Sequence, residues 1–145
     1  MEINFSDRLI AIRVNADVKN RNDGQGRHWS ASSKAKSRLF AACKSAEFSR
    51  WCPENEHWMP ADVHQCKLPS RTKVNIVATR VLGPKQRLWD ADSIIRGEFK
   101  QLLDSLVQLG IIEDDGPKYV DYVIGDQDHT RRQDGPAFEL VFYRA

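Results

Sequence analysis

Two acidic clusters bracket one amphipathic run in this chain, and that arrangement constrains the fold more than any other feature. From Asp90 to Gly116 the sequence reads DADSIIRGEFKQLLDSLVQLGIIEDDG, with Asp90 and Asp92 one residue apart at its start and Glu113, Asp114 and Asp115 at its end. Between them Ile95, Phe99, Leu102, Leu103, Leu106 and Leu109 recur at helical spacing, which predicts a helix over about 91–109 with one apolar stripe. Gly110 is placed to end it. Acids in a first helical turn are favoured by the free N–H groups there, so capping accounts for one of the two aspartates. Capping explains two less well, and it does not explain the second cluster.

The stripe needs a partner layer. The β-branched, partly alternating stretches 8–18, 72–82, 119–125 and 137–143 are expected to be strands. A second helix is expected from an N-cap at Ser30 to about Phe48, with Ala35, Leu39, Ala42 and Ala46 on its inner face. Residues 49–71 hold three prolines, Trp51 and Trp58, and are expected to form a long irregular connection, with room for one short strand. The order β-α-β-α-β-β predicts an α/β (α+β) fold, a mixed sheet with two main helices packed on it. At 145 residues, 41% of them hydrophobic, and with no internal repeat, one domain spanning 1–145 is expected.

The formal net charge is only +2, but it is unevenly spread. Residues 1–89 carry 16 of the 22 Lys and Arg and 8 of the 20 Asp and Glu, a net of +8 against −6 for the remainder. Seven basic residues and one acid, Asp23, lie between Lys19 and Lys44. A basic, glycine-containing loop leading into a helix is a phosphate-binding feature, although a solvated charged face has the same composition. Lys19, Arg21, Arg27, Lys34, Lys85, Arg87 and Arg96 are the candidate nucleic-acid contacts. With no leader-like start and no long apolar run, a soluble cytoplasmic protein is expected, with no membrane partner. Three irregularly spaced cysteines argue against a disulfide framework. Cys52, His57, His64 and Cys66 have zinc-ligand chemistry but not a standard ligand spacing, and ordinary loop roles are the better reading.

The chemistry that needs paired carboxylates here is magnesium-dependent phosphodiester hydrolysis. Magnesium takes hard oxygen ligands, commonly one or two carboxylates with waters and substrate phosphate. A nearby lysine then stabilises charge on the phosphorane or the leaving oxygen. Asp92, Arg96, Lys100 and Asp104 follow one another at four-residue steps, which also fits a plain ladder of helical ion pairs.

Asp90-Ala-Asp92, a basic residue in the helix, Leu103-Asp104-Ser-Leu106 and Gly110-Ile-Ile-Glu-Asp114-Asp115 together resemble the RusA family of Holliday-junction resolvases, endodeoxyribonucleases of phage and prophage origin. Asn20-Arg21-Asn22 through Gly26-Arg27 and Ser30 resembles that family's basic loop. Ser93 departs from the family's usual Asn, and the helix is about a turn longer. Counting from Asp92 matches the family's lysine to Arg96, and counting back from Asp104 matches it to Lys100, which is preferred. The resemblance implies a magnesium (Mg2+) site of Asp90, Asp92 and Asp115, with Asp114 the alternative to Asp115. It further implies Lys100 as catalytic cation, a homodimer, and symmetric cutting of four-way DNA junctions. The competing expectation is a non-catalytic nucleic-acid-binding domain with a degraded metal site.

Overall fold

The computed structural model describes residues 6–19, 29–90 and 93–145. In chain order these form strand β1 (Arg8–Val14), helix α1 (Trp29–Lys44), strands β2 (Glu47–Cys52), β3 (His57–Ala61) and β4 (Val74–Val81), helix α2 (Phe99–Gln108), and strands β5 (Val120–Asp128) and β6 (Ala137–Arg144). They build one six-stranded mixed sheet in the order β3-β2-β1-β6-β4-β5. All neighbours are antiparallel except β4 and β5, which run parallel and are joined through α2. This is an α+β domain. Among the described residues no helix is long and apolar enough to cross a membrane.

The strand pattern explains the layering. Alternate residues of a strand face opposite sides. Ile10, Ile12 and Val14 of β1, Ile76 and Ala78 of β4, and Phe138, Leu140 and Phe142 of β6 are buried in one core. Leu39 and Cys43 of α1 and Phe99, Leu102, Leu103 and Leu106 of α2 close it. Burial pushes the Cys43 thiol up to about 12, so it stays protonated as a small core residue.

Three elements differ from expectation. The connection 49–71 contains most of a hairpin, β2–β3, which adds two strands at the sheet edge. Trp51 and Trp58 face each other across it with ring centroids 5.1 Å apart, edge to face. Pro60 is tolerated because β3 is an edge strand. Helix α1 starts at Trp29, so Ser30 lies inside it, and it ends at Lys44, leaving Phe48 to point into the core from β2.

The largest difference is at α2, which begins at Phe99 and not near residue 91. The described residues 93–98 form successive tight turns, with Gly97 at φ +64°. A left-handed residue stops helical phase, and glycine adopts it without a Cβ clash. Ile94, not Ile95, is therefore the buried residue, at 1% against 38% exposure. The far end of the helix follows the sequence. Ile111 N donates to Leu106 O at 3.0 Å and Gly110 N to Val107 O at 3.0 Å, with Gly110 at φ +78°. This is the paired C-terminal motif that satisfies the last carbonyls of a helix.

Candidate active site

The stretch carrying Asp90 is hung from strand β5 at two points. At the first, Gln127 grips the peptide groups of Trp89. Its Oε1 accepts from Trp89 N at 2.8 Å and its Nε2 donates to Trp89 O at 2.9 Å. At the second, Ile94 lies directly on Gly125. A Cβ added to Gly125 would stand 2.6 Å from Ile94 Cβ, so only glycine allows this approach. Gly125 and Gln127 are two residues apart and share one face of the strand. Asp90 sits between the two points, exposed, its carbonyl accepting from Ser93 N at 2.9 Å.

One face of the partly buried Trp89 ring is already covered. The guanidinium of Arg80, a residue only 3% exposed, lies 3.6 Å from the centre of its ring. Arg80 Nη1 also donates to Arg87 O at 2.9 Å and to Gln127 Oε1 at 3.2 Å.

The second acidic cluster returns to the first turn of α2. Parallel pairing puts the end of β4 and the start of β5 at opposite ends of the sheet, and α2 spans the distance between them. The segment after α2 then doubles back, because Lys100, the second residue of that helix, hydrogen-bonds Asp115 through Nζ and Oδ2. The same ammonium lies 3.1 Å from Asp104 Oδ1, one helical turn along. The hydrogen bond to Asp115, with further help from Asp104, holds the Lys100 ammonium above the usual lysine range, so it is cationic at neutral pH.

Neighbours fix the returning segment. Glu113 accepts from Ser70 Oγ at 3.0 Å and from Arg71 N at 3.3 Å, and Leu68 N donates to Ile111 O at 3.0 Å. The bond from Ser70, with that from Arg71 N, holds the Glu113 carboxyl below its ordinary range. Asp114 turns back on its own chain, where Oδ1 accepts from Asp115 N at 2.9 Å. Asp115 is thus the acid of the pair that reaches Lys100.

The expected ladder of four-residue steps survives only in part. Lys100 and Asp104 form its helical rung. Arg96 precedes the helix, exposed, with its N–H donating to Ser93 O at 3.3 Å. Asp92, Arg21 and Arg27 lie outside the described residues.

Sequence reasoning missed Glu98, which is 1% exposed. Its Oε1 accepts from Arg38 Nη2 at 2.6 Å and from Lys19 N at 3.0 Å, and its own N–H donates to Lys19 O at 3.0 Å. Glu98 therefore ties α1 and the segment after β1 to the start of α2. Lys19 and Arg96 are brought to the same region by these bonds and by chain connection, and both are exposed. Lys85 and Arg87 are exposed on the loop that leads to Asp90, and Lys34 is exposed one turn before Arg38 on α1. Of the seven basic residues singled out, the five described are all exposed.

Chemically, the first turn of α2 brings together two hard oxygen donors. Asp104 and Asp115 converge on one cationic nitrogen, so two carboxylates from distant parts of the chain already share a single positive charge. That donor chemistry fits magnesium. Among the described residues no three His, Cys, Asp or Glu side chains are gathered in metal-ligating geometry. Cys52 and His57 face each other across the β2–β3 pair, whereas Cys66 is buried with its Sγ donating to Ser49 O at 3.8 Å. No family model, no curated protein and no solved structure matches the chain.

Proposed function

We propose that the protein is a magnesium-dependent, structure-selective endodeoxyribonuclease that acts on four-way DNA junctions, in the manner of the RusA family that its acidic motifs resemble. The observation that carries this reading is the return of Asp115 to Lys100 at the first turn of α2. A helix of ten residues separates the acidic clusters in sequence, and an ordinary ladder of helical pairs has no need of the second one.

In this reading Asp90, Asp92 and Asp115 hold magnesium. When bound, the ion supplies Lewis acidity on the scissile phosphate and lowers the pKa of a water. The chain's own residues do the rest. Asp90 is held in place through the Trp89 peptide groups. Lys100 keeps its proton and places a positive charge where negative charge builds on the phosphate oxygens. Lys19, Lys34, Lys85, Arg87 and Arg96 neutralise phosphates of the duplex arms, joined by Arg21 and Arg27 from the same basic loop.

The experiment is cleavage of a synthetic four-way junction with and without magnesium, by the native chain and by Asp90→Asn. Paired cuts that need magnesium and vanish in the variant are expected. Tight junction binding with no cleavage at any magnesium concentration would instead favour a non-catalytic nucleic-acid-binding domain.

A further inference from the structure

Arg80 is an expensive residue where it stands. Its guanidinium is desolvated, and burial pulls its pKa below the ordinary arginine value. No carboxylate among the described residues lies within ion-pair distance of it, and Asp17 acts on it only through space. An apolar side chain in a sheet core avoids that desolvation cost. What Arg80 does in return is specific. It faces Gln127 across the parallel pair, donates to Gln127 Oε1 and covers the Trp89 ring. Gln127 has its amide oriented by this contact. A free amide can rotate, but one whose oxygen receives Arg80 Nη1 must point its nitrogen the other way. That nitrogen meets Trp89 O, and the oxygen meets Trp89 N.

We propose that Gln127, oriented by Arg80, is a positioning residue that fixes the Trp89 peptide groups and so sets how tightly the Asp90 corner holds a divalent cation. The inference rests on the nuclease reading above. Two hydrogen bonds and one stacked cation converge on the residue immediately before Asp90, and Asp90 itself is exposed. A ligand on an exposed turn must be ordered when a metal binds unless something has already ordered it. The clamp removes that cost for the backbone of residue 89. Partners that orient metal ligands in this way typically contribute about 10–100-fold in metal affinity.

The test is manganese binding to the DNA-free protein by calorimetry, with electron paramagnetic resonance as a second readout. Three variants are compared with the native chain. Gln127→Met keeps length and removes all three hydrogen bonds. Gln127→Asn keeps polarity but is one methylene too short to span from β5, and it serves if the methionine variant does not fold. Glu139→Gln breaks an ion pair elsewhere in the sheet and controls for general loss of stability. Weakening of manganese affinity by about tenfold or more in both Gln127 variants, with the Glu139 variant at the native value, is expected. Native affinity in a folded Gln127 variant overturns the positioning role and leaves the nuclease reading standing. Equal weakening in the Glu139 variant also overturns it, because the effect is then general. A native chain that neither takes up manganese nor cleaves a junction overturns the nuclease reading, and this inference falls with it.

Discussion

Lys100 and Asp115 stand 15 residues apart in the chain and share a hydrogen bond at the first turn of α2. The bond brings the second acidic cluster beside the helix start that follows Asp90, and it gives Lys100 a different position from Arg96. Lys100 is inside the helix with two carboxylates on its ammonium, whereas Arg96 lies on the turns before it.

That difference predicts how the two basic residues divide the work. Lys100→Ala is expected to lower single-turnover cleavage by roughly 10²-fold or more, the scale of one lost electrostatic donor. Arg96→Ala is expected to weaken junction binding with little change in the cleavage step. Saturating single-turnover kinetics separate the two effects. The opposite ranking would assign the transition-state role to Arg96.

Glu98 predicts a stability effect. In Glu98→Ala the Lys19 N–H and one arm of the partly exposed Arg38 guanidinium lose a buried acceptor, while the other arm keeps Asp17 O. A cost of about 1–3 kcal/mol is expected. The thermal midpoint should fall by roughly 2–4 °C for each kcal/mol in a chain of this size. Glu98→Gln keeps an oxygen in place and should lose less. Calorimetric melts of the two variants decide it. Equal, negligible losses would mean that Glu98 is not a tie between the elements.

The pH dependence of stability has its clearest source on strand β6, where Glu139 lies opposite Thr79 of β4. Hydrogen bonding from Arg131, at 2.6 Å and 3.1 Å, holds the Glu139 carboxyl below its ordinary value of 4.5, with Arg13 at 2.9 Å adding to it. A carboxylate whose folded pKa is depressed adds stability above its unfolded value and loses it as pH falls through the folded one. The native chain should therefore be more stable than Glu139→Gln at pH 7. The gap should close below about pH 4.5, as Glu139 takes up a proton. Melting curves from pH 7 to 3 test this, and a gap that persists undiminished at pH 3 would rule out the ion pair as its source.

The fold was legible where periodicity is long and burial one-sided. Strands β1, β4 and β6 alternate between the core and the open face of the sheet, and α2 carries a clear stripe from Phe99 to Leu106. It was less legible where a local signal hid a tertiary one. Ile95 fits the helical stripe better than Ile94 by spacing alone, and Gly97 looks like a tolerated helix glycine. The close approach of Ile94 to Gly125, 31 positions along, decides otherwise. The β2–β3 hairpin was masked by prolines and by tryptophans whose cross-strand contact appears only after folding. Within the site, carboxylates announced themselves by clustering. Glu98 and Gln127 did not, because each acts through partners 38 to 79 positions away.

The basic residues predict a salt effect. Replacing Lys19, Arg21 and Arg27 together with alanine should weaken binding to junction and duplex alike. Each lost phosphate contact should reduce the log–log salt slope by about 0.9 for duplex DNA. Binding isotherms at several potassium concentrations measure this directly. An unchanged slope would place the phosphate-contacting surface elsewhere.

The oligomeric state follows from the proposed substrate. One acidic corner per chain can serve one scissile phosphate at a time. Resolving a four-way junction takes two cuts related by approximate two-fold symmetry. The described fold has one α2, one Lys100–Asp115 pair and one loop bearing Asp90, so a single chain offers one such corner among its described residues. A closed two-fold dimer supplies two equivalent corners by construction. The expected species is therefore a homodimer of about 33 kDa, twice the 16.6 kDa chain. Sedimentation at micromolar concentration, with and without junction DNA, measures it. Dimerisation should also appear in the chemistry. Mixing native chain with an excess of Asp90→Asn should turn paired resolution into single nicks, because each mixed dimer keeps one working corner. A strict monomer on junction DNA, or nicking and paired cutting in unchanged ratio, would contradict coupled cutting by two copies of this chain.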